Sequence, residues 1–131
     1  MTSNTTHTLG STPPMPRLID SHCHLHDSEF YDDTAREAAY QQAVQAGIAI
    51  ICVGTDVRSS RQAVQFALAR DHCYVAVGIH PHDAEAAGEA GIAAIRELLA
   101  EKPLRQGRPV IVGVGEIGLD YFYDNSARPA Q

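Results

Sequence analysis

The amino-acid sequence predicts an α/β fold of the (β/α)8 TIM-barrel type, represented by about its first four β/α units. Three observations lead there. Apolar, strand-like runs alternate with segments of helical period, the order of a parallel sheet covered by helices. Each run carries its polar residues at its C-terminal end: His22 and His24, then Thr55 and Asp56, then His80 and His82, then Glu116. A barrel builds its active site on that face from several strand ends, whereas a doubly wound sheet gathers its ligand at one switch point. Finally, no GxGxxG opens a helix after the first run.

The elements follow in order. Residues 1–15 are rich in Thr, Ser and Pro and read as a disordered extension before a domain spanning 16–131. They lack the basic start and apolar stretch of a secretory signal. Arg17 to Asp20 lead into a strand ending near His24. A helix is expected from Thr34 to Ala46, with Thr34 and Glu37 at capping-box spacing and Gly47 as its stop. Ile48 to Asp56 form a buried, β-branched strand. Ser59 or Ser60 can cap a second helix reaching Arg70, with Val64, Ala67 and Leu68 on one face. Cys73 to His82 give a third strand and its loop. Gly91 to Ala100 form a third helix with an apolar stripe of Ile92, Ile95, Leu98 and Leu99. Lys102 to Arg108 are a polar loop, and Pro109 to Gly118 a fourth buried strand.

The chain has 131 residues, while eight units need roughly 250. Half a barrel leaves two unpaired sheet edges and exposed apolar surface. The expectation is therefore a truncated product, a half-barrel that self-associates through its edges, or a marginally stable fold.

Composition narrows the function. Hydrophobic residues make up 44% and charged residues 20%, ordinary values for a soluble domain. No apolar run reaches the ~20 residues of a membrane span. Ten basic residues against sixteen acidic ones leave a net charge of −6. A generally basic, phosphate-binding surface is thereby disfavoured. Attraction for a phosphodiester must come from a local site, such as a bound divalent cation. Cys23, Cys52 and Cys73 form neither an even disulfide set nor a CxxC pair, and are expected to be reduced thiols in a cytoplasmic protein.

Three motifs carry the chemistry. In Asp20-Ser-His22-Cys-His24, residues two apart on a strand point to one side, so both imidazoles and the Asp20 carboxylate share a face. Alone, the motif fits two surface histidines as well as a metal site; its place at the end of the first apolar strand favours metal. Asp20 can bind the ion or orient a histidine. Cys23 alternates to the opposite face, where it packs against a helix, and His26 reads as a loop histidine. Gly78-Ile-His80-Pro-His82 places two histidines on a loop stiffened by Pro81, and beside the first motif a substrate-contacting role is the better reading. In Gly113-Val-Gly115-Glu116-Ile-Gly118-Leu-Asp120-Tyr121, Glu116 ends an apolar strand. A carboxylate there is costly unless paired or bound to metal, and it could bridge two ions. Asp120 and Tyr121 are weaker candidates for loop structure or a substrate-side contact.

Together and in this order, IDSHCHL, VGIHPH and VGVGEIGLDYFYD resemble the signature segments of the TatD family of metal-dependent hydrolases, from about Arg17 to Gln131. The resemblance implies a (β/α)8 barrel and deoxyribonuclease chemistry on DNA, often 3′→5′ exonucleolytic. It also implies divalent cofactors, Mg2+ or Zn2+, two in a complete site. His22, His24 and Glu116 fall on the family's metal ligands, and His80 and His82 on its HPH element. Two further histidines and the water-activating aspartate of the family come from later strands, beyond Gln131, so weak metal binding and little turnover are expected. Two rival readings are an amidohydrolase acting on C–N bonds and a non-catalytic remnant. The first would place a carboxylated lysine where Glu116 stands.

Overall fold

A computed structural model describes residues 15–131. The expected extension therefore lies, except for Met15, outside the described residues. Four parallel strands form the sheet: β1 (Leu18–Cys23), β2 (Ile48–Val53), β3 (Cys73–Val77) and, after a short hairpin, β6 (Ile111–Val114). Their order is β1-β2-β3-β6, with every neighbouring pair parallel. Three helices connect them: α1 (Asp33–Gln45), α2 (Val57–Leu68) and α3 (Ala84–Glu101). This is the β/α alternation expected of a partial barrel.

The core lies between the sheet and the helices. Ile50 and Cys52 of β2 and Cys73, Val75 and Val77 of β3 pack with Tyr40, Val64, Phe66, Ala67, Ile95 and Leu98. Residues one position away point to the other face, the interior side of a barrel. Among the described residues nothing pairs with the outer sides of β1 and β6, and Leu18, Ile19, Val112 and Val114 on these edge strands are all exposed.

The helices begin earlier than the sequence suggests. Asp32, not Thr34, caps α1, its carboxylate accepting the Ala35 N–H at 2.8 Å. Glu37 is thereby free to accept from Gln41 and Arg70. Asp56, not Ser59 or Ser60, caps α2, accepting the Ser59 N–H at 2.6 Å. An ionised carboxylate is a stronger acceptor than a hydroxyl for the orphan N–H groups of a helix start. Ser60 instead lies buried inside the helix, its Oγ hydrogen-bonded to the backbone of Gly78.

α3 is longer than the expected Gly91–Ala100. It starts from a 3-10 turn over Pro81–Asp83 and is broken at Gly88, whose φ of 51° leaves the helical region. Of the apolar stripe, Ile95 and Leu98 are buried while Ile92 stays exposed. Ile92 lines an apolar cleft of about 420 Å3 with Ile79, Leu99, Val114 and Ile117.

The polar loop expected over 102–108 is a hairpin, β4 (Leu104–Arg105) against β5 (Arg108–Pro109). Gln106 and Gly107 turn it with positive φ at both positions, the conformation of a tight two-residue hairpin loop. Arg105 reaches back to the end of α2 and donates to the carbonyls of Ala67, Arg70 and Cys73. A guanidinium with several donors suits the unpaired carbonyls of a helix C-terminus.

Candidate metal centre

The strand ends converge on one small cluster. His22 and His24 sit at the end of β1, and Glu116 follows β6 at the opposite edge of the sheet. One ligand atom from each of the three lies within 4.8 Å of the other two. Residues 94 positions apart in sequence meet because the sheet curves and the backbone of Gly78 is in close contact with that of Gly115 and Glu116. A Cβ on Gly78 would lie 2.6 Å from the carbonyl carbon of Gly115, so glycine is what lets the two loops touch. The Glu116 N–H then donates to the Gly54 carbonyl at 2.9 Å, and the His80 N–H to Thr55 at 2.6 Å.

The hydrogen bonds assign the proton on two rings. Nδ1 of His24 lies 2.9 Å from the Val53 carbonyl. A carbonyl only accepts, so Nδ1 carries the proton and Nε2 keeps its lone pair for an ion. His80 is reversed: its Nδ1 accepts the His82 N–H at 3.1 Å. In the neutral ring Nε2 then bears the proton, and it points to Glu116 Oε1 at 3.6 Å. His22 Nε2 stands 3.6 Å from the other carboxylate oxygen. Such a separation is too long for a hydrogen bond. It is close to the roughly 3.4 Å between two ligand atoms that each bind a tetrahedral ion at ~2.1 Å. Two imidazoles and a partly exposed carboxylate thus fit a divalent ion.

Other residues of the motifs have different partners. Asp20 accepts the backbone N–H of His22 at 3.1 Å and orients that residue from outside the cluster. His82 does not face Glu116. Its Nε2 pairs with Asp120 Oδ2, and its ring meets Tyr123 edge-on at 5.7 Å. Asp120 also accepts the N–H groups of Phe122 and Tyr123. These bonds, the Phe122 amide first, hold its carboxyl below the usual carboxylate range.

His26 lies in the turn after β1, as the sequence suggests, but it is buried rather than exposed. It is 1% exposed, and Nε2 bonds to Ser59 Oγ at 2.9 Å. Burial, aided by His24, pushes its pKa down to about 4, so the ring is a neutral structural element beneath the cluster. Asp56, grouped in sequence with the strand-end polar residues, is consumed by the α2 cap. Cys23 faces the core as its alternation requires, with Sγ 3.8 Å from Cys52 Sγ and that atom 4.0 Å from Cys73 Sγ. All three thiols are free. The hydrogen bond to Cys52, then burial, pushes the Cys23 thiol up, so it stays protonated.

No helix among the described residues is long and apolar enough to cross a membrane. Comparison with known proteins places this geometry. The family profile described as TatD related DNase matches residues 19–131. An uncharacterized metal-dependent hydrolase, YjjV of Escherichia coli K12, is 34% identical over 83% of this chain and 40% of its own length. The 3′-5′ ssDNA/RNA exonuclease TatD of Edwardsiella piscicida is 36% identical over 87% of this chain and 41% of its own. The crystal structure of the E. coli YjjV protein superposes with a TM-score of 0.68 over the same 83% and 40%. An uncharacterized amidohydrolase from Saccharomyces cerevisiae, 17% identical, shares the fold with a TM-score of 0.68 over 90% of this chain and 41% of that one. The chain therefore spans about 40% of the length of these relatives.

Proposed function

The chain belongs to the family of TatD-related DNases, and from that membership we propose that it carries the first metal-binding half-site of a hydrolase that cleaves phosphodiester bonds in DNA. The observation that carries the reading is the meeting of His22, His24 and Glu116 from opposite edges of the sheet. His22 and His24 would ligate through ring nitrogens, and Glu116 would bridge two ions in a complete site. Imidazole donors favour a transition ion such as Zn2+ over Mg2+. When bound, the ion supplies Lewis-acid polarisation of a phosphoryl oxygen and lowers the pKa of its water. His80 turns its protonated Nε2 toward Glu116 Oε1 at 3.6 Å, beyond hydrogen-bond range, and would offer that N–H to the substrate side. His82, with Asp120 behind it, offers the substrate side a ring whose position is set. A 3′→5′ exonuclease is the form the proposal takes, supported by the exonuclease relatives. Three free thiols accord with a reducing, cytoplasmic setting, and the open edges of β1 and β6 with self-association.

The test is metal uptake by calorimetry and elemental analysis, on this chain and on a His22→Ala/His24→Ala variant. Binding of Zn2+ that disappears in the variant is the expected result. Failure of both chains to take up metal would sink the half-site.

A further inference from the structure

Aromatic side chains are distributed unevenly over this molecule. The chain has three Phe, five Tyr and no Trp. Tyr40 and Phe66 are in the core, whereas Tyr121, Phe122 and Tyr123 are consecutive and exposed by 50%, 82% and 66%. The segment bearing them is neither helix nor strand. Phe30 and Tyr31 are exposed as well, by 78% and 46%, and what sets 121–123 apart is the contact of Tyr123 with the His82 ring.

Their backbone is tied by hydrogen bonds. Asp120 accepts the N–H groups of Phe122 and Tyr123 at 2.9 and 3.2 Å, and Gln131 grips the Asp120 backbone from both sides, accepting its N–H and donating to its carbonyl. Phe122 and Tyr123 meet edge-to-face at 4.8 Å. The patch is continuous with the metal centre: Tyr123 touches the His82 ring, and His82 packs against His80, whose Nε2 faces Glu116. Arg128 lies over Tyr121, its Cζ 4.8 Å from the ring centroid. Arg128 also donates to the Tyr121 carbonyl at 3.3 Å and makes an exposed contact to Asp124 at 3.6 Å; such exposed contacts are weak and leave donors of the guanidinium for a ligand.

We propose that Phe122 and Tyr123 form a stacking platform for unpaired bases of a single-stranded nucleic acid beside the metal centre, with Arg128 taking a backbone phosphate. The inference rests on the phosphodiesterase reading above and adds the residues that select single strands. A net charge of −6 gives the chain little general attraction for a polyanion. Base stacking supplies affinity that does not depend on net charge, tolerates any sequence, and is denied to a duplex whose base faces are covered.

The experiment is fluorescence anisotropy in the presence of a chelator, so that neither metal nor hydrolysis is needed. The probes are a labelled oligothymidylate 12-mer, an abasic 12-mer of equal charge, and a duplex. The thymidylate should bind roughly tenfold tighter than the abasic strand, and tighter than the duplex. Phe122→Ala and Tyr123→Ala should each erase about tenfold for the thymidylate and leave the abasic strand unchanged. Phe122→Trp should restore binding where Phe122→Leu does not. Unchanged thermal unfolding would exclude misfolding, since both side chains are exposed. Equal affinity for the abasic strand, or wild-type affinity in the alanine variants, overturns the platform and leaves the hydrolase reading standing. Absence of binding to every probe overturns the platform and the nucleic-acid part of that reading, while metal uptake continues to report separately on His22, His24 and Glu116.

Discussion

Gly78 is the residue on which the cluster depends most. A methyl group there would collide with the backbone of Gly115 and Glu116 rather than with a movable side chain. Gly78→Ala should therefore cost about 1–3 kcal/mol of stability, the range for overpacking, and should weaken metal uptake beyond what the stability loss explains. Urea unfolding and calorimetry on the same variant separate the two. Asp120 gives a pH signature. Its carboxyl titrates below its ordinary 3.8 in the folded chain, so the unfolded chain binds its proton first as pH falls. Its contribution is fully present above that ordinary value and is lost as pH falls through the lower folded one. The gap in unfolding midpoint between the natural chain and Asp120→Asn should shrink as pH falls below about 4. At this scale the sequence identified His22 and His24 as a pair, although the register of β1 shifts between Asp20 and Cys23 and the strand ends before His24, so simple alternation does not place them. It could not assign His24 and His80 opposite proton positions. Those are decided by the Val53 carbonyl and the His82 amide, contacts made only in the folded chain.

At the scale of elements, helix periodicity was legible and helix starts were not. Each start offers several capping candidates within a few residues: Asp32, Asp33 and Thr34 around the start of α1, and Asp56, Ser59 and Ser60 around the start of α2. Local spacing cannot rank them, because the choice depends on where the preceding strand delivers the chain. Asp56→Ala should lower stability by about 1 kcal/mol, the usual cost of a lost cap, measured as a drop in the urea midpoint. Ser59→Ala should not mimic it at the helix start, although it frees the buried His26 ring of its one side-chain partner. The hairpin over Leu104–Pro109 was missed for a related reason. Its two short strands carry little apolar signal, and its purpose, to bring Arg105 to the end of α2, is a long-range contact.

For the whole molecule, the decisive feature is a four-stranded parallel sheet with helices on one face and free edges at β1 and β6. Exposed Leu18, Ile19, Val112 and Val114 lie on those edge strands. Concentration-dependent association is the expected behaviour, visible by sedimentation velocity, and Val114→Lys should reduce it by charging an edge. Concentration-independent monomers would argue that the edges are self-protected. The amino-acid sequence by itself determined the order of the parallel strands and the helices between them, the sheet they imply, and the family, because hydrophobic period and motif order are properties of the chain. It also named His22, His24 and Glu116 as the residues to watch. Only the tertiary structure decided that their ligand atoms come within one small space, that His82 turns away toward Asp120 and Tyr123, and that His26 is buried out of reach. These outcomes depend on sheet curvature, on the contact between the backbones at Gly78 and Gly115, and on burial, which arise when residues distant in sequence are packed together.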